Sequence, residues 1–216
     1  MSNRGSLVVI SAPSGSGKTS LAHLLLKELD RIKFSVSYTT RRRRRGEEHG
    51  VEYFFVTVDK FEEMAAAGEF LEFAHVYGNY YGTSSAFVER ELARGQDVLL
   101  DIDIQGALKV KNLVPEAVLI FVLPPSFEVL QERLVGRGLD DSEVIEKRLQ
   151  VAKDEIKYYV DYDFVIINRE IKQCLQELKS IVLAARCRTS ARREEAEAIV
   201  DTFFPLDDEE ASARPR

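Results

Sequence analysis

An α/β fold, with a mostly parallel sheet covered by helices on both faces, is what this sequence predicts. Three observations carry the prediction. Short and nearly continuous apolar runs recur along the chain, segments with helical apolar spacing separate them, and a glycine-rich turn joins the first run to the first helix. Strands buried on both faces read as unbroken apolar runs, and alternation with helices is the mark of parallel pairing.

The elements follow in order. "LVVIS" (7–11) is a β-branched strand, and "TSLAHLLLKEL" (19–29) repeats leucines at helical spacing. Further strands are expected at "DVLLDI" (97–102), "AVLIFVL" (117–123) and "DFVII" (163–167). Between residues 35 and 95 the texture changes to shorter, alternating, aromatic-rich segments such as "VEYFFVTV", "EFLEFAHVY" and "NYYGTSS". This region reads as a small mixed insertion with its own strands and a helix around "DKFEEMAAAGE". Residues 1–34 and 96–205 then form the core. Within the core, "GRGLDDSEVIEKRL" is polar and glycine-punctuated, which predicts a mobile flap at about 136–150, followed by a charged helix running to Tyr159. The end, 206–216, is acidic and then Pro/Arg-containing, and is expected to be a flexible tail.

Composition bounds the function. The 216 residues are 45% hydrophobic and 31% charged, the balance of a globular chain, and the formal net charge of -6 argues against a dedicated nucleic-acid binder. The first apolar run breaks at Pro13, too short for a signal peptide or a membrane span, so a cytoplasmic location and no membrane partner are expected. Cys174 and Cys187 have no CxxC partner or histidine cluster, and read as reduced, structural thiols. His23, His49 and His75 lack any recognisable nucleophile and acid at catalytic spacing.

"APSGSGKT" carries the first chemistry. Ala12, Pro13, Ser14, Gly15, Ser16, Gly17, Lys18 and Thr19 match GxxxxGK[ST] except that alanine takes the first glycine position. The motif follows a strand and opens a helix, the context in which glycines turn backbone N–H groups toward phosphate and the helix dipole adds positive potential. Lys18 supplies a mobile cation, and Thr19 offers a hydroxyl to Mg²⁺, a hard ion that takes oxygen ligands. Asp101, ending "VLLDID", is placed to hold the same ion through water. A residue at position 12 that required positive φ would strain the alanine.

"YTTRRRRRGEEHG" sets five consecutive arginines in an acidic chain. With "APSGSGKT", "FSVSYTTRRRRRGEEHGVEYFF", "GEFLEFAHVYGNYYGTS", "LLDIDIQGA" and "RLVGRG" followed by "EKRL", the order and spacing resemble the guanylate kinase family over about residues 5–170. The resemblance implies a P-loop nucleoside monophosphate kinase-like fold, in which 35–95 binds GMP and the flap is a lid. It also implies Mg²⁺-dependent phosphoryl transfer from ATP to GMP, and by analogy to dGMP. Arg43 stands where the family's pattern has proline, which removes a fixed φ from that loop.

By the same resemblance, Arg41 and Arg44 grip the acceptor phosphate together with Ser37, Tyr53 and Tyr81. A guanidinium donates two parallel hydrogen bonds to phosphate, where lysine offers a point charge. Glu72, Thr83 and Asp103 resemble guanine readers: carboxylates match the N1–H and N2–H₂ donors, and a hydroxyl matches O6. Adenine would leave a carboxylate facing a lone pair. Arg133, Arg137 and Arg148 resemble lid arginines, with Arg137 and Arg148 the more direct contributors alongside Lys18 and Arg44, and Asn168 stands near the adenine. A non-catalytic binding module of this family would lack the intact Gly17–Thr19 motif, and a kinase for a phosphorylated ribose would have no use for the guanine set. The sequence leaves the choice between monomer and homo-oligomer open, because the apolar surface of "LKSIVLAARC" suits either core packing or a subunit contact.

Overall fold

A computed structural model describes residues 4–76, 78–136 and 142–204. Arg137, part of the flap and the acidic tail lie outside the described residues. The chain runs β1 (Leu7–Ser11), α1 (Lys18–Glu28), β2 (Ile32–Phe34), β3 (Tyr38–Thr39), β4 (Phe54–Phe55), α2 (Val58–Ala66), β5 (Phe70–Val76), β6 (Asn79–Ser84) and α3 (Ser85–Ala93). It continues through β7 (Asp97–Asp101), α4 (Ile104–Leu113), β8 (Val118–Leu123), α5 (Phe127–Val135), α6 (Ser142–Glu155), a 3₁₀ segment Ile156–Asp161, β9 (Phe164–Ile167), α7 (Ile171–Ala185) and α8 (Thr189–Phe203).

The larger sheet has five strands in the order β2-β7-β1-β8-β9, all parallel. Alternation along β1 sends Val8 and Ile10 to one face, where they pack with Leu21 and Leu25 of α1 and Leu178 and Val182 of α7. Leu7 and Val9 go to the other face, against Val88 of α3 and Ala107 and Val110 of α4. A strand covered on both sides needs apolar residues at every position, hence the unbroken "LVVIS". Because all strands are parallel, their carboxyl ends share one edge, and the loops after β1, β7 and β9 converge there.

Three expectations change. The sequence reading found four core strands; β2 is a fifth, a three-residue edge strand whose single buried residue is Ile32, too brief for an apolar run. The charged helix ends at Glu155 and tightens into 3₁₀ geometry instead of continuing to Tyr159. Ala12 carries no left-handed strain, since Arg31 is the non-glycine residue at positive φ among those described. The apolar stripe of α7, including Cys174, Leu175 and Leu178, is buried in the core, so it packs the domain. Both cysteines are free.

The insertion holds a second sheet in the order β4-β3-β6-β5. Its core is aromatic: Phe61 of α2 stacks on Phe70 at 4.5 Å and on Tyr80 at 5.3 Å. Tyr81, the next residue on β6, points to the opposite face and meets the Tyr53 ring edge-on at 5.8 Å. Lys109 of α4 donates to the Phe73 carbonyl at 2.6 Å, fastening the insertion to the core. Among the described residues, no helix is long and apolar enough to cross a membrane.

Candidate active site

The loop after β1 turns on two glycines in the left-handed region, Gly15 at φ 93° and Gly17 at φ 90°. A Cβ on Gly15 would lie 3.0 Å from both Leu130 and Leu134, so α5 packs directly on the loop. Helix α1 begins at Lys18 immediately behind it, which aims the helix dipole at the loop's concave side. Lys18 forms an ion pair with Asp101 and donates to the Ile102 carbonyl at 3.1 Å, and the buried Ser11 hydroxyl donates to the same carbonyl at 3.0 Å. Thr19 Oγ1 donates to Asp101 Oδ2 at 3.2 Å. The threonine hydroxyl and the aspartate therefore lie side by side beside the loop.

A cavity of about 420 Å³ extends from this loop to the insertion. Residues from Ala12 to Thr19 line one end, and Ser37, Arg44, Tyr53 and Tyr81 line the other. Glu72, Asp101 and Asp103 border the space between, and α6 contributes Arg148 and Glu155. Arg148 and Glu155 are two turns apart on one helix face, so the helix delivers a cation and an acid to the same cavity.

Glu72 is 6% exposed. It sits opposite Thr83 in the β5/β6 register, past a bulge at Phe70/Glu72, and accepts the Thr83 hydroxyl at 2.7 Å. Burial, reinforced by the Asp103 charge, pushes its carboxyl up to about 7 against the opposing pull of Thr83 and Lys109. Gly106 makes room for it, because a Cβ there would come within 2.7 Å of Glu72 Oε2. The Gly106 N–H also donates to Asp103 Oδ1 at 3.1 Å, so Asp103 is the N-cap of α4. One glycine thus fixes two carboxylates, a role that sequence spacing did not reveal.

At the arginine run, Arg44 lines the cavity, and Arg41 lies against Tyr53, which lines it too. The Arg41 guanidinium lies 5.3 Å from the Tyr53 ring centre and donates to Glu47 at 2.7 Å. Glu47 also accepts the Arg44 N–H at 2.8 Å and its carbonyl accepts Arg43 Nε. Glu47 therefore organises the loop in which arginine replaces proline, and the hydrogen bond of Arg41 holds its carboxyl below the usual range. Burial pushes the Tyr53 phenol up to about 12, with Asp101 and Tyr81 adding to the effect, so the phenol stays protonated and able to donate. Burial likewise pushes Glu155 up to about 7, with Lys18 opposing.

Thr83, Arg133 and Asn168 stand outside the cavity lining. Thr83 is fully buried behind Glu72, with its hydroxyl hydrogen committed to that carboxylate, so it orients Glu72 instead of facing the cavity. Arg133 donates to the Asn168 carbonyl at 2.9 Å, and Asn168 touches the underside of the phosphate loop. None of the three histidines lines the cavity; His49 accepts the Phe55 N–H at 3.2 Å. Among the described residues no group of three His, Cys, Asp or Glu side chains could hold a metal; Thr19 and Asp101 present oxygen atoms, the donor type that a hard ion takes.

Comparison with known proteins follows the same line. The guanylate kinase family model matches residues 4–185. The chain is 53% identical over 195 residues to a guanylate kinase of Hahella chejuensis, an alignment covering 90% of this chain and 94% of that protein. A guanylate kinase of Clostridioides difficile is 50% identical over 187 residues, covering 87% and 91% respectively. Among solved structures, the guanylate kinase from Anaplasma phagocytophilum is similar with a TM-score of 0.78 at 33% identity, covering 96% of this chain and 99% of that one. With the phosphate loop, the buried Glu72 carboxylate and a match of this length in agreement, the chain belongs to the guanylate kinase family.

Proposed function

We propose that this protein transfers the γ-phosphoryl group of ATP to GMP, giving ADP and GDP, and accepts dGMP in the same way. The observation that carries the reading is one continuous cavity with a phosphate loop at one end, Ser37, Arg44, Tyr53 and Tyr81 at the other, and the buried Glu72 with the half-buried Asp103 between them. Residues 35–95 serve as the acceptor-binding insertion, residues 1–34 and 96–205 as the catalytic core, and about 136–150 as the lid.

Each part has a chemical task. An oxygen of the GMP phosphate attacks the γ-phosphorus as the bond to the β,γ-bridging oxygen breaks, and the electron pair leaves with ADP. The attacking oxygen is already ionised, so no general base is needed, which agrees with the absence of any histidine from the cavity lining. Ser37, Arg41, Arg44, Tyr53 and Tyr81 hold the acceptor phosphate, with Arg41 also set against the Tyr53 ring and paired with Glu47. Glu72 and Asp103 accept from the guanine N1–H and N2–H₂ groups, and Thr83 keeps the Glu72 carboxylate turned toward them. At the donor end, the loop from Ala12 to Thr19 cradles the ATP phosphates, Arg133 and Asn168 support them, and Lys18, Arg137 and Arg148 neutralise charge on the moving group. Thr19 and Asp101 would hold Mg²⁺, Asp101 through water, and the ion when bound neutralises and orients the β- and γ-phosphates. Lid closure excludes water and favours transfer over hydrolysis. This is the chemistry of a cytoplasmic enzyme of purine nucleotide metabolism.

The test is ADP formation by the purified protein with MgATP and GMP, dGMP, AMP, CMP, UMP or no acceptor. Turnover confined to guanine nucleotides is expected. Equal turnover with AMP, or none with GMP, overturns the proposal.

A further inference from the structure

Asn168 follows β9 at the carboxyl edge of the sheet and is 4% exposed. Its backbone N–H donates to the Leu123 carbonyl at 2.8 Å, anchoring it to the end of β8. Its side-chain amide donates to the Ser16 carbonyl at 2.7 Å, and its side-chain oxygen faces Cys174 Sγ of α7 at 3.5 Å. Its own carbonyl accepts Arg133 Nη2 at 2.9 Å. Four elements meet in one residue: the phosphate loop, β8, α7 and α5.

Ser16 lies between Gly15 and Gly17, both at positive φ, so the loop has two of its freest joints around this carbonyl. The contact is close as well, since a Cβ on Gly17 would come within 2.5 Å of the Asn168 amide nitrogen. Arg133 sits in the last turn of α5, just before the lid, and its Nη1 is buried without a hydrogen-bond partner. A buried guanidinium nitrogen without a partner is a donor awaiting an acceptor. Leu130 and Leu134 of α5 press on Gly15 from the same side.

We infer that Asn168 is a positioning residue that ties the lid-bearing helix α5 to the phosphate loop, so that loop shape and the aim of Arg133 are set together. With its carboxamide engaged by Ser16 and Cys174, Asn168 serves the ATP site by holding the loop, in place of the adenine contact expected from the sequence. The inference rests on the kinase reading for its kinetic test and on nucleotide binding alone for its second test.

Asn168→Asp is nearly isosteric and exchanges the donated amide for an oxygen facing the Ser16 carbonyl, whereas Asn168→Ser keeps a shorter donor. The expected result for Asn168→Asp is a rise of about tenfold or more in KM for ATP and a fall in kcat, with KM for GMP within about twofold of wild type. Asn168→Ser falls between. Calorimetric ATP titration without acceptor should reproduce the loss, and this readout survives even if the acceptor assignment is wrong. In a cycle of Asn168→Ser with Arg133→Lys, which keeps charge but loses the planar donor, the ATP effects should be non-additive by about fivefold. Wild-type ATP affinity in Asn168→Asp, equal loss of ATP and GMP affinity with a lowered melting temperature, or strict additivity in the cycle would each overturn the inference.

Discussion

The two sheets of this molecule solve different problems with different materials. In the parallel sheet, β1, β7 and β8 are aliphatic and almost wholly buried, with Val8, Val9, Ile10, Val98, Leu99, Leu119 and Ile120 at 0% exposure. The insertion sheet is built from shorter and partly exposed strands, two of them only two residues long, and is stabilised by stacked rings around Phe61. The first provides a stiff edge for the phosphates, a feature common to all nucleotides. The second gives up apolar burial to place the Glu72 carboxylate and Thr83 hydroxyl under cover, where an unmatched base edge is costly. On the proposed reading, phosphate chemistry sits on the parallel sheet, and base discrimination is shared between Glu72 of the insertion and Asp103, just past β7.

The sharpest way to break this comparison is in the cores. Leu119→Ala, fully buried in β8, should cost about 2–5 kcal/mol in urea denaturation and weaken ATP and GMP binding together. Phe61→Leu should raise KM for GMP while leaving KM for ATP near wild type. If both variants impair both substrates equally, the sheets are one energetic unit. Next, Lys18→Ala removes the mobile cation of the phosphate loop and should lower kcat by about 10²- to 10³-fold with an unchanged melting temperature. Retained turnover would dissociate the rigid sheet from the chemistry.

The smallest expected effect concerns the looser sheet and has a definite sign. The folded Glu72 carboxyl titrates near 7, above its ordinary 4.5, so the unfolded chain ionises it more easily. Its contribution therefore favours the fold below pH 4.5 and is lost as pH rises toward and through 7, by up to about 3 kcal/mol. Glu72→Gln should flatten this part of the stability profile between pH 5 and 8, and should also erode GMP-over-AMP preference. A profile identical to wild type would remove Glu72 as the titrating group.

What the sequence made legible depended on locality. The strand at 7–11 could be read to the residue because burial on two faces requires apolar side chains throughout, and the phosphate loop because its parts are consecutive. Strand β2 escaped because an edge strand of three residues has no run to read. Gly106, Glu47 and Glu155 escaped for another reason. Their importance lies in what they approach: Gly106 lies against Glu72, Glu47 clamps Arg41, and Glu155 enters the cavity from α6. Asn168 and Ser16 are 152 positions apart, and no periodicity relates them. Thr83 was found by resemblance, yet its commitment to Glu72 emerges only from the β5/β6 register.

The strand order also governs how a growing chain could come to possess this site. β1 precedes its sheet partners β7 and β8 in the chain, with Leu7 waiting for Val98 and Val8 for Val118. Throughout synthesis of the intervening insertion, "LVVIS" has α1 to pack on but neither of its sheet neighbours. Contacts so distant along the chain form slowly and leave apolar segments exposed in the meantime. The Ser16 carbonyl gains its Asn168 partner only when residue 168 emerges, so a ribosome-bound chain shorter than this holds every phosphate-loop residue without that contact.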